Sequence, residues 1–268
     1  MPGFLLSRRA VLGGLLAGVA QNPSREALVL LDVRTRRVLA ATGGERARRW
    51  LAPPGSTVKP FAISALLEAG KLRKDEAFPC PGKLILAGRS FACSHPPIGV
   101  PIQPSTAIAY SCNCFVAHFA QRFEPGELAR FFTRMQFTSD TGKIEPAITA
   151  EDRQLQALGE SRVLVTPFGL ASLYARLAAV ARPEVLEGLE GAVEYGTAQL
   201  ARIPEVRLAG KTGSAVIQQN QRVAWFAGFA PSRSPEIAVA VAVPGYSGGS
   251  DAAPIAGRIL QTHFARKS

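Results

Sequence analysis

Ser56 and Lys59 have the residue types and the spacing of an activated serine. Two prolines and a glycine precede them in segment 51–61 and end whatever element comes before. We expect a helix to begin at Ser56, which places Ser56 and Lys59 one turn apart on the same face. The helix dipole favours an alkoxide at this end, and a neutral amine can take the hydroxyl proton. The pair therefore predicts nucleophilic catalysis, and the alternative is a capping serine beside a solvated lysine.

Two further short motifs place polar side chains in apolar surroundings. Ser111-Cys112-Asn113 lies between two predicted helical stretches, and Lys211-Thr212-Gly213-Ser214 lies on a predicted strand. The patterns S-x-x-K, S-x-N and K-T-G each occur once in the chain, in that order. Taken singly, the second motif could cap a helix and the third could belong to a surface hairpin. Their joint occurrence favours one catalytic site assembled from three segments.

The elements that must position these motifs follow from the hydrophobic pattern. We expect strands at residues 27–31, 37–41, 207–216, 223–229 and 237–243. We expect helices at residues 56–69, 106–110, 114–121, 127–135, 166–180 and 253–264, and a proline-rich loop at 71–104. This order predicts an α+β fold: one antiparallel sheet of N- and C-terminal strands, covered by helices, with a helical lobe inserted between them. A cleft between the sheet and the lobe is the expected place for the site.

Composition limits the classes of partner. The chain has 268 residues, 47% hydrophobic and 19% charged, which is enough to bury the core of one large or two small domains. Its formal net charge is +11, and +9 remains without Arg8 and Arg9. The basic residues are scattered, and no helix face combines them with aromatic side chains, so we predict no nucleic acid partner. An anionic polymer of the cell envelope suits this charge better.

The first 20 residues have the pattern of an export signal. Ser7-Arg8-Arg9 precedes an apolar run at residues 10–20, and this pattern resembles a twin-arginine signal. A Sec signal or an uncleaved anchor is the alternative. We therefore expect residues 1–20 to direct export and residues 21–268 to form a domain that works in the periplasm or on the outer face of the cytoplasmic membrane.

The cysteines of the chain are Cys80, Cys93, Cys112 and Cys114. An exported protein can keep disulfides, and Cys80 and Cys93 lie 13 residues apart in a loop, so we expect these two to pair. The bridge would stabilise the fold by about 3 kcal/mol in the chain-entropy model. We interpret Cys112 and Cys114 as small buried hydrophobic residues. A four-cysteine zinc site is the rival, but two C-x-x-C knuckles are missing and we predict no metal.

The three motifs resemble those of the transpeptidase domain of penicillin-binding proteins, the serine acyl-transfer family that includes the serine β-lactamases. The flanking residues agree as well, at 54–61 and 109–113 for the first two motifs and at 196–198, 209–215 and 224–231 for the third motif and the strand after it. The loop 80–93 also looks like one common in that family. The resemblance covers about residues 27–266 and implies the same α+β fold and no cofactor.

The resemblance implies a catalytic role for each residue of the first two motifs. Ser56 would attack the carbonyl of a terminal D-Ala–D-Ala peptide bond, and Lys59 would be its general base. The pKa of Lys59 must then fall from about 10.4 towards about 7, which burial and a second cation, Lys211, could achieve. Ser111 would pass the proton to the leaving amine, and Asn113 would hold Lys59 and the substrate amide.

The third motif is expected to bind the substrate. Lys211 and Thr212 would receive its terminal carboxylate. Gly213 would leave room for it to lie beside the strand, where it would pair as an added strand. The backbone N–H groups of Ser56 and Ser214 would form the oxyanion hole.

The resemblance names partners but leaves the fate of the acyl group open. It implies peptidoglycan stem peptides and β-lactams as ligands, and an association with the membrane surface or the cell-wall synthesis machinery. A transpeptidase is the main prediction, and a D,D-carboxypeptidase, a β-lactamase and a non-catalytic receptor-like domain are the alternatives. Glu145 lacks the Leu-Asn that would follow it in a class A β-lactamase, and Asn113 replaces the hydrophobic residue usual in class D. A Ser-His-Asp hydrolase has little support, because the histidines are scattered at His95, His118 and His263.

Overall fold

A five-stranded antiparallel sheet organises the protein. The computed structural model describes residues 26–265, so the expected export signal lies outside the described residues. Its strands are β1 (Ala27–Asp32), β2 (Val38–Thr42), β7 (Ala209–Val216), β8 (Arg222–Ala230) and β9 (Ile237–Pro244). Their order in the sheet is β2-β1-β9-β8-β7, so strands from the N- and C-terminal parts of the described chain lie side by side. Two small antiparallel sheets lie apart from it: a hairpin of β3 (Lys83–Leu86) and β4 (Arg89–Ala92), and a pair of strands, β5 (Gly142–Ile144) and β6 (Val163–Val165), with a helix between them in the chain.

Helices cover the sheet and form the lobe between its two halves. They are α1 (Glu45–Arg49), α2 (Lys59–Glu68), α3 (Pro104–Ala109), α4 (Asn113–Ala120), α5 (Glu127–Arg134), α6 (Ala150–Leu158), α7 (Pro167–Val180), α8 (Pro183–Glu194) and α9 (Ala253–Ala265). Helix α7 packs on β1, β8 and β9 and connects the sheet with the lobe. Thr166 caps it by accepting a hydrogen bond from the Gly169 N–H, as its sequence predicts.

Both faces of the sheet are buried. Val29 and Leu31 of β1 belong to the core that also contains Phe61 of α2, whereas Leu28 and Leu30 belong to the core that contains helix α9. This alternation is the two-residue period of a strand. Because helices cover both faces, the strands β8 and β9 are continuously apolar, as in sheets without a solvated side.

The predicted fold class is confirmed, while several elements differ from the sequence prediction. The predicted strands and helices are all present with shifted ends, and the N- and C-terminal strands form one antiparallel sheet. The prediction of an irregular loop at 71–104 is wrong in part, because this segment contains the hairpin of β3 and β4. Helices α1, α6 and α8 and the strand pair of β5 and β6 were not predicted. Within residues 26–265, no helix is both long enough and apolar enough to span a bilayer.

Candidate active site

The turn that carries Ser56 precedes helix α2. Residues Gly55–Val58 form a 3₁₀ turn, and the α-helix itself begins at Lys59, three residues later than predicted. Pro60 explains the shift, because it has no N–H to donate to the Ser56 carbonyl, and the Lys59 N–H donates to that carbonyl instead. Ser56 is half-buried, and Lys59 follows it by one tight turn.

Two large side chains fix the backbone of this turn. The Trp225 indole N–H donates to the Pro53 carbonyl at 3.0 Å, and the Tyr174 hydroxyl donates to the Thr57 carbonyl at 2.8 Å. Trp225 and Tyr174 are both completely buried. A buried phenol or indole must find an acceptor, and here each acceptor is a carbonyl next to the candidate nucleophile. The sheet and helix α7 therefore determine where Ser56 stands.

Lys59 is a fully buried lysine that is held by three hydrogen bonds. Its Nζ donates to the Ser111 carbonyl at 2.7 Å, to Ser111 Oγ at 3.3 Å and to Asn113 Oδ1 at 2.5 Å. Burial lowers the pKa of Lys59 from 10.5 to about 8, and the nearby Cys112 sulfur partly opposes this effect. The side chain is thus close to the protonation balance that a general base needs near neutral pH.

Ser111 and Asn113 lie where helix α3 ends and helix α4 begins. Ser111 has a φ of 58°, a left-handed conformation that costs a non-glycine residue free energy. Its N–H donates to the Ile108 carbonyl, and its own carbonyl accepts from Lys59, so hydrogen bonds on both sides hold the conformation. Asn113 is also bound on both sides, because its Nδ2 donates to the Ala92 carbonyl at 2.7 Å. The S-x-N motif is therefore a rigid acceptor for the lysine.

Strand β7 presents the third motif at one edge of the sheet. Lys211 is completely buried, and its Nζ donates to the Thr212 carbonyl at 3.1 Å. Burial lowers the pKa of Lys211 well below 10.5, and the positive charge of Lys59 lowers it further. The Thr212 hydroxyl donates to Thr197 Oγ1 at 2.7 Å, which ties the strand to the segment after helix α8.

Gly213 and Ser214 lie against the turn that carries Ser56. A Cβ at Gly213 would lie 2.7 Å from the Pro54 carbonyl oxygen and 2.8 Å from Thr57 Cγ2. The glycine is therefore needed because the protein's own turn fills this side of the strand, a different reason from the room for substrate that we predicted. Ser214 Oγ accepts a hydrogen bond from the Gly248 N–H at 3.2 Å.

Gly55 provides a test of this close approach. It has a φ of +53°, and an added Cβ would lie 2.4 Å from the Ser214 carbonyl oxygen. We expect Gly55→Ala to lower Tm by about 5–10 °C, since the strained conformation and the clash together cost about 2–3 kcal/mol. Thermal unfolding followed by circular dichroism measures the change.

Gly70→Ala is the matched control for Gly55→Ala. Gly70 has a φ of +66°, but nothing lies within 4 Å of an added Cβ. Gly70→Ala should therefore lose only the free energy of the strained backbone conformation, which corresponds to a decrease in Tm of about 2–4 °C. Equal decreases in the two variants would contradict the contact between Gly55 and β7.

The structure brings the three predicted motifs to one place. The first motif is linked to the second through Lys59 and to the third through the contacts of Gly55 and Gly213. Within residues 26–265, Lys59 Nζ makes no hydrogen bond to Ser56 Oγ, so the proton transfer that the pair predicts remains a prediction. The positioning roles of Tyr174 and Trp225 were missed. A tyrosine on the buried face of a predicted helix was the available signal for the first.

The predicted disulfide is absent from the structure. Cys80 and Cys93 are free thiols with their Sγ atoms 3.6 Å apart, well beyond a bond of about 2.05 Å. Cys112 and Cys114 are buried, as expected of small apolar residues, but their sulfurs lie beside Cys93 rather than only in hydrocarbon.

Glu145, the carboxylate considered for a β-lactamase, lies on the surface. It forms ion pairs with Lys143 at 2.8 Å and with Arg162 at 3.8 Å, and it is exposed. Both cations lower its pKa below 4.5. A glutamate in this state is a poor base for activating water.

Comparisons with known proteins agree with this geometry. The sequence profile of the penicillin binding protein transpeptidase domain matches residues 27–261. Penicillin-binding protein 1A of Neisseria lactamica is 27% identical over 82% of this chain and 32% of its own length. Peptidoglycan D,D-transpeptidase PbpA of Mycolicibacterium smegmatis is 26% identical over 76% of this chain and 53% of its own length. The chain thus spans about a third to a half of the length of these relatives.

Solved structures share the fold. The transpeptidase domain of Burkholderia pseudomallei penicillin-binding protein 3 aligns with a TM-score of 0.85 and 21% identity, covering 100% of this chain and 98% of that one. Pseudomonas aeruginosa PBP2, solved in complex with WCK 5153, aligns with a TM-score of 0.82 and 22% identity over 95% of this chain and 77% of that one. With the profile match over most of its length, the chain belongs to the penicillin-binding protein transpeptidase domain family.

Proposed function

We propose that this chain is a serine D,D-transpeptidase that acts on peptidoglycan stem peptides through an acyl-enzyme on Ser56. The buried Lys59 carries the proposal, because its pKa is lowered to about 8 and its hydrogen bonds aim it at the S-x-N motif. A surface lysine beside a capping serine would have neither property. Relatives named as D,D-transpeptidases support the same activity.

Acylation is proposed to run along the three motifs. Ser56 Oγ forms an ester with the carbonyl carbon of the penultimate D-Ala, and the C–N bond to the terminal D-Ala breaks. Lys59 takes the Ser56 proton, and Ser111, within 3.3 Å of Lys59 Nζ, passes a proton to the leaving amine. Asn113 keeps Lys59 in place through its Oδ1 atom. Its side chain would also bind the amide of the substrate.

Substrate binding is assigned to β7 and the turn beside it. Because β7 is the edge strand of the sheet, an extended peptide can pair with its outer side. Lys211 and Thr212 would bind the terminal carboxylate, beside Gly213. The N–H groups of Ser56 and Ser214 would stabilise the oxyanion, each by about 3 kcal/mol.

The protonation states of the two buried lysines should change when substrate binds. Lys211 resists charge in the free protein because of burial and the positive charge of Lys59. A bound carboxylate would restore the positive charge of Lys211. That charge in turn favours neutral Lys59, so carboxylate binding would prepare the base for its reaction.

The pH dependence of acylation tests the proposed role of Lys59. The base is neutral above its pKa of about 8, so the second-order rate constant with a fluorescent penicillin should rise about tenfold per pH unit up to that value and then level off. Measurements between about pH 6 and pH 10 resolve this profile. A flat profile, or a rise that continues towards 10.5, would exclude Lys59 as a perturbed base.

The fate of the acyl group decides between the related activities. Mass spectrometry of the protein incubated with penicillin, and of a D-Ala–D-Ala peptide incubated with and without an acceptor amine, reports the adduct and the products together. We expect a long-lived penicillin adduct on Ser56 and a peptide joined to the acceptor. Sustained nitrocefin hydrolysis would indicate a β-lactamase, and release of D-Ala without acceptor transfer would indicate a carboxypeptidase.

The proposed location follows from the substrate. Peptidoglycan lies outside the cytoplasmic membrane, and the twin-arginine-like pattern at residues 1–20 and the net charge of +11 agree with work beside an anionic cell wall. The mature N-terminus, read by mass spectrometry of the protein from its native envelope, tests export. Retention of residues 1–20 on protein found in the cytoplasm would contradict it.

A further inference from the structure

Four cysteines from distant parts of the chain meet beside the candidate active site. Cys80 and Cys93 flank the hairpin of β3 and β4, and Cys112 and Cys114 stand at the start of helix α4. The Sγ–Sγ distances from Cys93 are 3.6 Å to Cys80, 3.8 Å to Cys112 and 3.5 Å to Cys114. Cys112 Sγ lies 3.5 Å from Cys80 Sγ. Apolar packing alone gives no reason for sulfurs to gather around one point.

The three distances among Cys80, Cys93 and Cys112, 3.5–3.8 Å, match the edges of one face of a metal–sulfur tetrahedron. With zinc–sulfur bonds of about 2.3 Å, the sulfurs of a tetrahedral site lie about 3.8 Å apart. A disulfide needs about 2.05 Å, and Cys93 is about equally close to three partners rather than paired with one. The arrangement therefore favours a shared central ion over a bridge between two chosen cysteines.

The surroundings of the sulfurs are those of thiolate ligands. The Gly82 N–H donates to Cys80 Sγ at 3.3 Å, and the Phe115 N–H donates to Cys112 Sγ at 3.4 Å. Backbone donors of this kind orient and stabilise coordinating thiolates. Cys112 also caps helix α4, where the helix dipole favours negative charge.

A histidine adds a fifth candidate ligand. The ligand atoms of Cys80, Cys93, Cys112 and His95 all lie within 4.8 Å of one another. His95 Nδ1 lies 2.8 Å from the Pro96 carbonyl, so it carries the proton and donates. The other ring nitrogen, Nε2, then has a free lone pair, and it is buried without a hydrogen-bond partner among the described residues.

We propose that Cys80, Cys93 and Cys112 bind a zinc ion, with Cys114 or His95 as the fourth ligand. Thiolate and imidazole ligands in a closed tetrahedral arrangement suit structural zinc. Each coordinating thiol loses its proton to solvent when the ion binds. The sequence argued against zinc because two C-x-x-C knuckles are missing. The fold instead brings the ligands together from two separate segments of the chain.

The zinc would hold the S-x-N motif in place. Cys112 lies between Ser111 and Asn113, and Asn113 already donates to the carbonyl of Ala92, the neighbour of Cys93. A metal bridge between the hairpin and helix α4 would stiffen both contacts of this motif. The ion would thus position Ser111 and Asn113 without itself contacting the substrate.

Metal content of the full-length protein, purified under reducing conditions without a metal-binding tag, tests the proposal. We expect about one zinc per chain by inductively coupled plasma mass spectrometry. Chelation should lower Tm by about 5–10 °C, and added Zn²⁺ at about 100 times Kd should restore it. Co²⁺ in its place should show sulfur-to-metal charge-transfer absorption. Absence of stoichiometric metal, or an intact mass lowered by disulfide formation in protein kept in its native redox state, would overturn the proposal.

Variants assign the ligands. Cys93→Ser should weaken zinc binding at least about tenfold, whereas Ser94→Ala, an exposed neighbour, should retain it. Of Cys114→Ser and His95→Ala, one should weaken binding to a similar degree and so name the fourth ligand. Unchanged affinity in both would overturn the four-ligand site. None of these measurements requires catalysis, so their outcome is independent of the activity proposed for Ser56.

Discussion

Ser56→Ala is expected to abolish covalent labelling of the protein by a fluorescent penicillin, with a loss of at least about 10⁴-fold in the acylation rate. The hydroxyl oxygen is the atom that would form the ester. Because Ser56 is half-buried and its hydroxyl has no hydrogen-bond partner among the described residues, the change in the free energy of unfolding should stay within about 0.5 kcal/mol. Gel fluorescence and intact mass measure the label, and thermal unfolding measures the fold.

Ser64→Ala is the matched control for this prediction. Ser64 lies on helix α2, two turns beyond the candidate nucleophile, and its buried hydroxyl also lacks a hydrogen-bond partner within the described chain. The same hydroxyl group is removed from the helix that directly follows the Ser56 turn, so labelling should persist at close to the wild-type rate. Persistent label in Ser56→Ala, or its loss in Ser64→Ala, would assign the acylation to another residue.

The three motifs were predictable from the sequence, and the local geometry of the first was not. Three short patterns in a fixed order identify the family, since each motif is continuous in the chain. The start of helix α2 was placed too early because a serine after a glycine favours a cap, whereas Pro60 removes the N–H that would bind the Ser56 carbonyl. As a consequence, Ser56 stands in a 3₁₀ turn rather than in the first turn of an α-helix.

Elements that depend on distant contacts were missed. Helix α8 contains Gly188 and Gly191, which read as helix breakers in the sequence. In the structure a Cβ at Gly188 would lie 2.6 Å from Ile108 Cβ, so this glycine lets helices α3 and α8 approach closely. The cysteine cluster was missed for the same reason, because its members come from segments that only the tertiary structure brings together.

Lys59→Met is expected to lower the acylation rate by about 10²–10⁴-fold, the usual effect of losing a positioned general base. Methionine nearly matches the lysine in length and brings no charge. It leaves the Ser111 and Asn113 acceptors without their donor, at a cost of about 1–3 kcal/mol, but it also removes the cost of burying an amine. Stopped-flow measurement of penicillin acylation reports the rate. Lys74→Met, at an exposed position after the same helix, is the control and should change nothing.

Lys59→Arg separates a base from a fixed positive charge. A guanidinium keeps its proton at any pH at which the protein is folded, because its pKa is above about 12. If Lys59 works as a base, the arginine variant should lose at least as much rate as the methionine variant, and its rate should no longer rise up to pH 8. A rate within about tenfold of wild type, with the pH profile retained, would mean that the site needs the charge and that another group takes the Ser56 proton. The lowered pKa of Lys59 favours the first outcome, since a buried amine that exchanges its proton near pH 8 is poorly suited to serve as a permanent cation.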